Sequence, residues 1–503
     1  MSHDVVIIGA GPAGMAAAIQ ASSLGLKALV LDEQPAPGGQ RFRAIELQYR
    51  RLRTAGNDLP PSEQNGLDLT RRFRESETRF LDQASVWDIS PGGRQISYLR
   101  HGQSFTIPAN AVVAAPGAYE RPVPLEGWHL PGVMSAGAAQ TMLKTSGHPV
   151  KGRIVLLGCG PLLLLTARQL ANAGANVVGL LQTTGPADFL RAMPYLPAAL
   201  RSTTLLKQGL QLLTQTPPVP KVFSLRQATI IGDNRVEGVK YQARGASGFI
   251  ECDTVLLHFG VIPNNQLTRL AGVAHGWNDS QECWQPVVDE WQETSAENLM
   301  VAGDGGRILG DEAAEMSGRL SILRIAHRLG RISDRSLSTL AAPLQSAIKR
   351  LAAARAFIDT IFRTPETMLI PSGNTIVCRC EEVTAAQIAE ASSCGASGLR
   401  HLKVQTRVGM GPCRAQICSI AATAMIAPRI RRGQSPPPPA TVRAPIRPLT
   451  LGQLADAVTS SSGGFHKEHD DMDHQKKSDK RLGLHRPNGI WPLTCKVTSQ
   501  VNI

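Results

Sequence analysis

A chain of 503 residues, 42% of them hydrophobic, can bury several cores, and its length predicts roughly two to four domains. The net charge of +13 is spread along the sequence and aromatics make up only 4%, which argues against a base-stacking nucleic-acid platform, so no nucleic-acid partner is expected. No apolar run reaches the roughly 18 residues a membrane-spanning helix needs, and no basic-then-apolar leader opens the chain, so a cytoplasmic protein without a transmembrane segment is expected.

The first element in the chain is an apolar strand, Val5 to Ile8, running into Gly9-Ala10-Gly11-Pro12-Ala13-Gly14. An Ala-rich helix follows to about Leu24. Beyond Gly25 a second strand, Ala28 to Leu31, ends on Asp32 and Glu33. Strand, glycine turn, helix and strand open a doubly wound α/β sheet. The glycines serve different ends. Gly9 allows the tight turn, Gly11 lets a pyrophosphate approach the backbone, and Gly14 lets helix pack closely on strand. The pyrophosphate then meets free N–H groups at a helix N-terminus, and Asp32 can accept hydrogen bonds from ribose hydroxyls, with Glu33 as the neighbouring alternative. The spacing alone leaves FAD and NAD open.

The densest early basic run, Arg41 to Arg53, reads as ordinary surface or as a docking face for an acidic partner protein; Arg429 to Arg432 reads likewise. A second strand–turn–helix unit begins at Arg153 and passes through Gly158-Cys159-Gly160, with Leu at 163 where a third glycine would stand. Its second strand, Asn176 to Leu181, ends on Leu181 and Gln182, so no acid is placed for a ribose 2′-hydroxyl. The fold is retained while the specificity features are missing, which favours a structural role or an additional nucleotide over catalytic NAD(P)H. Cys159 reads as a small packing residue. A strand at 298–302 then leads into Gly303-Asp304 and a helix over about 312–329.

Residues 373–428 form a compact unit with four cysteines, Cys378-Arg379-Cys380 and Cys413-x4-Cys418. The first pair falls on a loop after the short strand 375–377, and the second flanks a helix start after Gly409-Met410-Gly411-Pro412. Thr384 and Gln387 have the spacing of a capping box. Four thiolates can hold a [2Fe–2S] cluster, and glycines let backbone N–H groups reach its sulfurs. Zinc takes four thiolates too, and ordinary cysteines remain open, but zinc has no redox use beside a redox nucleotide. Cys394 reads as mid-helix and buried. Helices over 384–408 could resemble a DNA reader, but cysteine pairs bracketing them favour the cluster. A proline-rich linker over 433–457 precedes a polar tail, 458–503, expected to be disordered.

Downstream motifs carry a resemblance. Pro37-Gly38-Gly39-Gln40 resembles the flavoprotein segment that follows the acid. Ala115-Pro116-Gly117 loosely resembles the Ala-Thr-Gly turn of two-dinucleotide-domain flavoproteins, with Pro in place of Thr. Thr294-Ser295 with Val301-Ala302-Gly303-Asp304 resembles their second FAD motif. The resemblance implies FAD, held by Gly9, Gly11, Pro12, Ala13, Gly14, Asp32, Glu33, Gly39, Gln40, Gly303 and Asp304, with Asp304 on the ribityl chain.

The cysteine unit resembles the bacterioferritin-associated-ferredoxin-like [2Fe–2S] domain, which implies Cys378, Cys380, Cys413 and Cys418 as iron ligands. With Gly127-Trp128, Leu130-Pro131-Gly132-Val133 and Gly158-Cys159-Gly160-Pro161-Leu162-Leu163, residues 3–455 resemble the A or alpha subunits of heteromeric amine dehydrogenases. That family includes opine (octopine or nopaline) oxidase, D-hydroxyproline dehydrogenase and hydrogen cyanide synthase subunits; the opine oxidase type is nearest.

The resemblance implies a two-dinucleotide-domain flavoprotein with a small helical cluster domain. Its FAD domain would comprise 1–125 and 285–345, its NAD(P)-like domain 126–284, its cluster domain 373–428. It further implies a flavoprotein B subunit that oxidises a secondary-amine C–N bond of an opine or imino acid. Peripheral contact with the inner membrane through the electron acceptor, and a small third subunit, belong to the same expectation. This chain would relay electrons; no acid–base pair for amine oxidation and no redox Cys pair near the flavin segments stands out. The competing expectations are a self-sufficient NAD(P)H-dependent FAD/[2Fe–2S] reductase and, from a different class, a nucleic-acid-binding or iron-sensing protein.

Overall fold

The computed structural model describes residues 3–202, 218–426 and 436–460. The run Arg429–Arg432, the start of the proline-rich segment, Cys495 and the tail from 461 lie outside them.

Two five-stranded parallel sheets dominate. In the first, the order is Leu299–Val301, Val112–Ala114, Val5–Ile8, Ala28–Leu31 and Arg79–Leu81. Val5 pairs with Ala28 and Ile8 with Leu31 in parallel register. All four residues of Val5–Ile8 and of Ala28–Leu31 are buried, as expected where both faces of a parallel sheet are covered. On one face lies the helix Pro12–Ser23, crossed by the helix Asp311–Arg328. The crossing is close because Gly318 faces Ala13: a Cβ at 318 would stand 2.1 Å from the Ala13 carbonyl oxygen. On the other face lies the antiparallel meander Ser85–Ile89, Gln95–Arg100 and Gln103–Pro108.

The second sheet runs Lys221–Val222, Asn176–Gln182, Arg153–Cys159, Thr254–Phe259 and Val133–Ser135. It repeats the plan of the first, with helix Pro161–Asn172 on one face and the meander Leu225–Ile231, Gly238–Ala243 and Ala246–Glu251 on the other. The chain leaves the first unit, builds this one, and returns to donate Leu299–Val301 to the first sheet.

A 28-residue helix, Asp334–Ile361, begins at an N-cap on Ser333. It packs through Leu337 and Ala341 against Leu320 and Leu323. The cysteine unit has its own core of Val377, Val383, Ile388, Leu399, Leu402, Val408, Ala422 and Ile426. Three helices enclose it: Ala385–Ser393, Leu399–Thr406 and Ser419–Ile426. Thr384 and Gln387 close the capping box. Cys394 is not mid-helix and buried; it is exposed just past Ala385–Ser393, because Gly395, at φ +96°, ends that helix in the left-handed region. Residues 436–450 then run back over the first unit, where the Ile446 N–H donates to the Trp87 carbonyl at 2.8 Å. They end in the helix Leu451–Ser460 beside Gln103–Pro108. Among the described residues, no helix is long and apolar enough to cross a membrane.

Candidate cofactor sites

The first glycine loop leaves the carboxyl end of Val5–Ile8, as a dinucleotide site on an open sheet requires. Gly9 sits at φ +104°, and a Cβ there would lie 2.3 Å from the Ala115 carbonyl oxygen; one on Gly14 would lie 1.8 Å from the Gly9 oxygen. Both positions are closed to any side chain. Gly11 and Gly39 face each other, a Cβ on Gly39 falling 2.7 Å from the Gly11 Cα. Pro12 opens the helix, and its N-cap Gly11 has no side chain to accept from the first-turn N–H groups, so an anion can meet them.

Asp32 is buried at the end of the second strand. Its carboxylate accepts from the Ala10 N–H at 2.5 Å and the Gln34 N–H at 2.7 Å. Burial, partly offset by these two bonds, pushes its pKa up. Glu33 points away and pairs with Arg447 at 2.8 Å, so only Asp32 of the two acids stands at the loop. Gly39 is half-buried and Gln40 exposed.

Gly303 and Asp304 form a short turn after Leu299–Val301. Asp304 accepts from the N–H groups of Leu309 and Gly310 at 3.1 and 3.3 Å, and burial raises its pKa. This turn meets the first loop: a Cβ on Gly303 would be 2.9 Å from that of Ala13, and one on Gly305 would be 2.7 Å from the Pro116 ring. The glycine loop, Asp32, Gly39, the 115–117 turn and Gly303-Asp304 thus converge on one edge of the sheet. A backbone cradle with an uncapped helix N-terminus, the buried Asp32 and the half-buried Asp304 fits a dinucleotide.

The second loop is built differently. Leu163 is fully buried in the helix–sheet core where a glycine would allow close approach, and Gln182 is buried at the strand end. Opposite the loop stands His258, which pairs through Nδ1 with Glu120 at 2.7 Å; Glu120 also accepts from the Gly137 N–H at 2.9 Å. A Cβ on Gly160 would be 3.1 Å from His258 Nε2. No spacing marks this couple in the sequence, since 138 residues separate its members.

In the cysteine unit the four thiols stand as two neighbouring pairs. Cys378 lies beside Cys418 and Cys380 beside Cys413, near enough for each thiol to shift its neighbour's titration. The nearness of Cys418, reinforced by N–H groups of Gly409, Glu381 and Cys380, brings the Cys378 pKa down to about 5. Gly411 leaves the room: a Cβ there would be 2.9 Å from the Cys380 sulfur. Cys378 and Cys418 are buried, and Cys380 is exposed. Among the described residues, no three His, Cys, Asp or Glu side chains are grouped as one metal ion would need.

Residues 3–318 match the pyridine nucleotide-disulphide oxidoreductase family, and residues 372–457 match the sarcosine oxidase A3 domain. The A subunit of opine oxidase from Agrobacterium tumefaciens (strain Ach5) is 38% identical over 463 residues, covering 90% of this chain and 91% of the relative. The chain belongs to the family of opine oxidase A subunits. Hydrogen cyanide synthase subunit HcnB of Pseudomonas aeruginosa is also similar, at 29% identity over 83% of this chain and 91% of that one. Among solved structures, L-proline dehydrogenase from P. horikoshii superposes with a TM-score of 0.64 at 18% identity, over 90% of this chain and 79% of that one, and so shares its fold. The family places the chain among FAD-dependent oxidoreductases, and it carries the two-dinucleotide-domain flavoprotein fold expected from the sequence.

Proposed function

We propose that this chain is the electron-transfer subunit of a heteromeric oxidase that cleaves a secondary-amine C–N bond of an opine, together with a flavoprotein B subunit. FAD would be held by the Gly9–Gly14 loop, Asp32, Gly39 and Asp304, and a [2Fe–2S] cluster by Cys378, Cys380, Cys413 and Cys418. Bound there, the two groups supply two-electron and one-electron redox chemistry respectively. The observation that carries the proposal is the gathering of four thiols in one small unit, where Cys378 and Cys418 share a core, Gly409 and Gly411 leave room beside the sulfurs of Cys418 and Cys380, and Cys378 neighbours Cys418 as Cys380 neighbours Cys413. Two irons, each taking two thiolates, suit two pairs; a single zinc would need all four on one point.

Oxidation of octopine at its C–N bond would pass two electrons and two protons to the flavin of the B subunit and give an imine. One water then hydrolyses the imine to arginine and pyruvate. The relatives named as A subunits of opine oxidase support both the substrate class and a partner chain. In this chain Asp32 would orient the ribose, Asp304 would fix the ribityl chain, and the buried pair Cys378 and Cys418 would shield one side of the cluster from water. Buried Leu163 and Gln182 at the second loop count against the self-sufficient NAD(P)H reductase.

The test is anaerobic purification of the chain with the product of a neighbouring B-type gene. Flavin and acid-labile sulfide in this chain, with octopine bleaching the flavin only in the complex, support the proposal. A colourless chain without sulfide would overturn it, as would NADH bleaching the isolated chain while no opine does so in the complex.

A further inference from the structure

A cavity of about 990 Å³ lies where the cysteine unit, the two dinucleotide units and residues 436–440 meet. Five arginines line it, at 121, 191, 269, 363 and 414. Two are neutralised, Arg191 by Asp188 and Arg363 by Glu282. The other three form no ion pair among the described residues and donate to carbonyls instead. Arg121 is buried and donates only to the carbonyls of Gln281 and Glu282, at 2.6 and 3.0 Å. Arg269 donates to the Ala440 carbonyl, and burial brings its pKa down to about 10. Arg414 reaches the Arg443 carbonyl at 3.4 Å, and its Nε has no partner. The indole N–H of Trp284, on the same wall, is likewise buried and unpartnered. Against these donors stands one unpaired lining acid, the exposed Glu366.

Buried guanidiniums facing only carbonyls are costly unless a negative charge completes them. Arginine forks match the paired oxygens of carboxylates and phosphates. The three stand on three separate segments, which points to a ligand with more than one anionic oxygen pair rather than a chloride.

We infer that this cavity is a binding site for a small organic dianion, a dicarboxylate or a phosphomonoester, gripped by Arg121, Arg269 and Arg414. The site is separate from the glycine-loop cradle and does not depend on the proposed opine chemistry. It joins the cysteine unit to the flavoprotein body, because Arg414 follows Cys413 while Arg121 and Arg269 belong to the other units.

Titration calorimetry of the full chain, purified with its cofactors, tests it without turnover. The probes are 2-oxoglutarate for the dicarboxylate arm and adenosine 5′-monophosphate for the phosphate arm. At least one is expected to bind at millimolar concentration or below. Its affinity should fall about tenfold or more in R269Q and in R414Q, each removing a charge-assisted fork, and stay unchanged in R94Q on the surface. Arg414 lies on the half-exposed cysteine loop, so R414Q serves if R269Q does not fold. Absence of binding by both probes, or equal binding by the folded variants, would overturn the assignment.

Discussion

The guanidinium carbon of Arg379, between Cys378 and Cys380, sits 5.3 Å from the centre of the Trp128 ring, and the same indole donates its N–H to the Ile376 carbonyl at 2.6 Å. Trp128 is buried in the second dinucleotide unit. One side chain therefore both clamps the strand that presents Cys378 and covers the loop leading to Cys380. W128F keeps most of the apolar surface but leaves the Ile376 carbonyl unpaired, at a cost of about 1–3 kcal/mol. R379Q removes only the stacked cation, about 0.5–1 kcal/mol. Thermal unfolding and proteolysis over the exposed 372–374 turn should rank W128F as the more damaging. The reverse order would mean that the indole is not what seats the cysteine unit.

Gly11 and Gly14 are predicted to fail in different ways. A Cβ at 14 falls 1.8 Å from the Gly9 oxygen, so G14A must displace backbone, at a cost of about 1–3 kcal/mol. A Cβ at 11 meets nothing closer than the Gly39 Cα at 3.7 Å, and Gly11 has an ordinary φ of −76°. G11A should then stay within about 0.5 kcal/mol of the parent in stability. Its methyl nevertheless occupies the space a pyrophosphate would use. The expected result is a G11A protein with a normal melting midpoint and little flavin absorbance. Full flavin retention in G11A would remove the pyrophosphate from that gap.

The first dinucleotide unit was legible because its chemistry is local: strand, glycine turn, helix and acid lie within about 30 residues, the span of one βαβ unit. The capping box on Thr384 and Gln387 was legible for the same reason. Cys394 was misread because helix periodicity continues past it while a single left-handed Gly395 stops the chain. Nothing local signals that Glu33 turns outward, since its partner Arg447 is 414 residues away. The Glu120–His258 couple and the arginine-lined cavity share this character. Each is assembled by tertiary contact between segments with no common spacing, so no motif marks them.

Glu315 makes stability depend on pH. It lies half-buried on the helix Asp311–Arg328, and burial, with Asp311 and Glu312 nearby, lifts its pKa to about 7 against Arg72 and Arg319. A carboxyl whose folded pKa is raised binds more protons in the folded state than in the unfolded one. Its contribution is therefore most favourable below the ordinary value of 4.5 and declines as pH rises to about 7, beyond which it is flat. E315Q mimics the protonated form at every pH. The difference in melting midpoint, variant minus parent, should be near zero at acid pH and grow positive by pH 8. A constant difference across that range would show that Glu315 is ionised throughout.

The cysteine pairs make a sharper prediction about metal content. Cys378 neighbours Cys418, Cys380 neighbours Cys413, and Cys394 stands exposed at a helix end with no part in either pair. If each pair holds one iron, loss of any of the four thiols leaves one iron with too few protein ligands to keep a bridged cluster. C378S, C380S, C413S and C418S should each fall from about two irons and two labile sulfides per chain to near none. C394S should keep both. A mononuclear zinc site would give a different result: about one zinc, no sulfide and no visible absorbance in the parent, with zinc lost in the same four variants. Metal analysis together with sulfide on all five variants separates the two, because only the cluster carries inorganic sulfide.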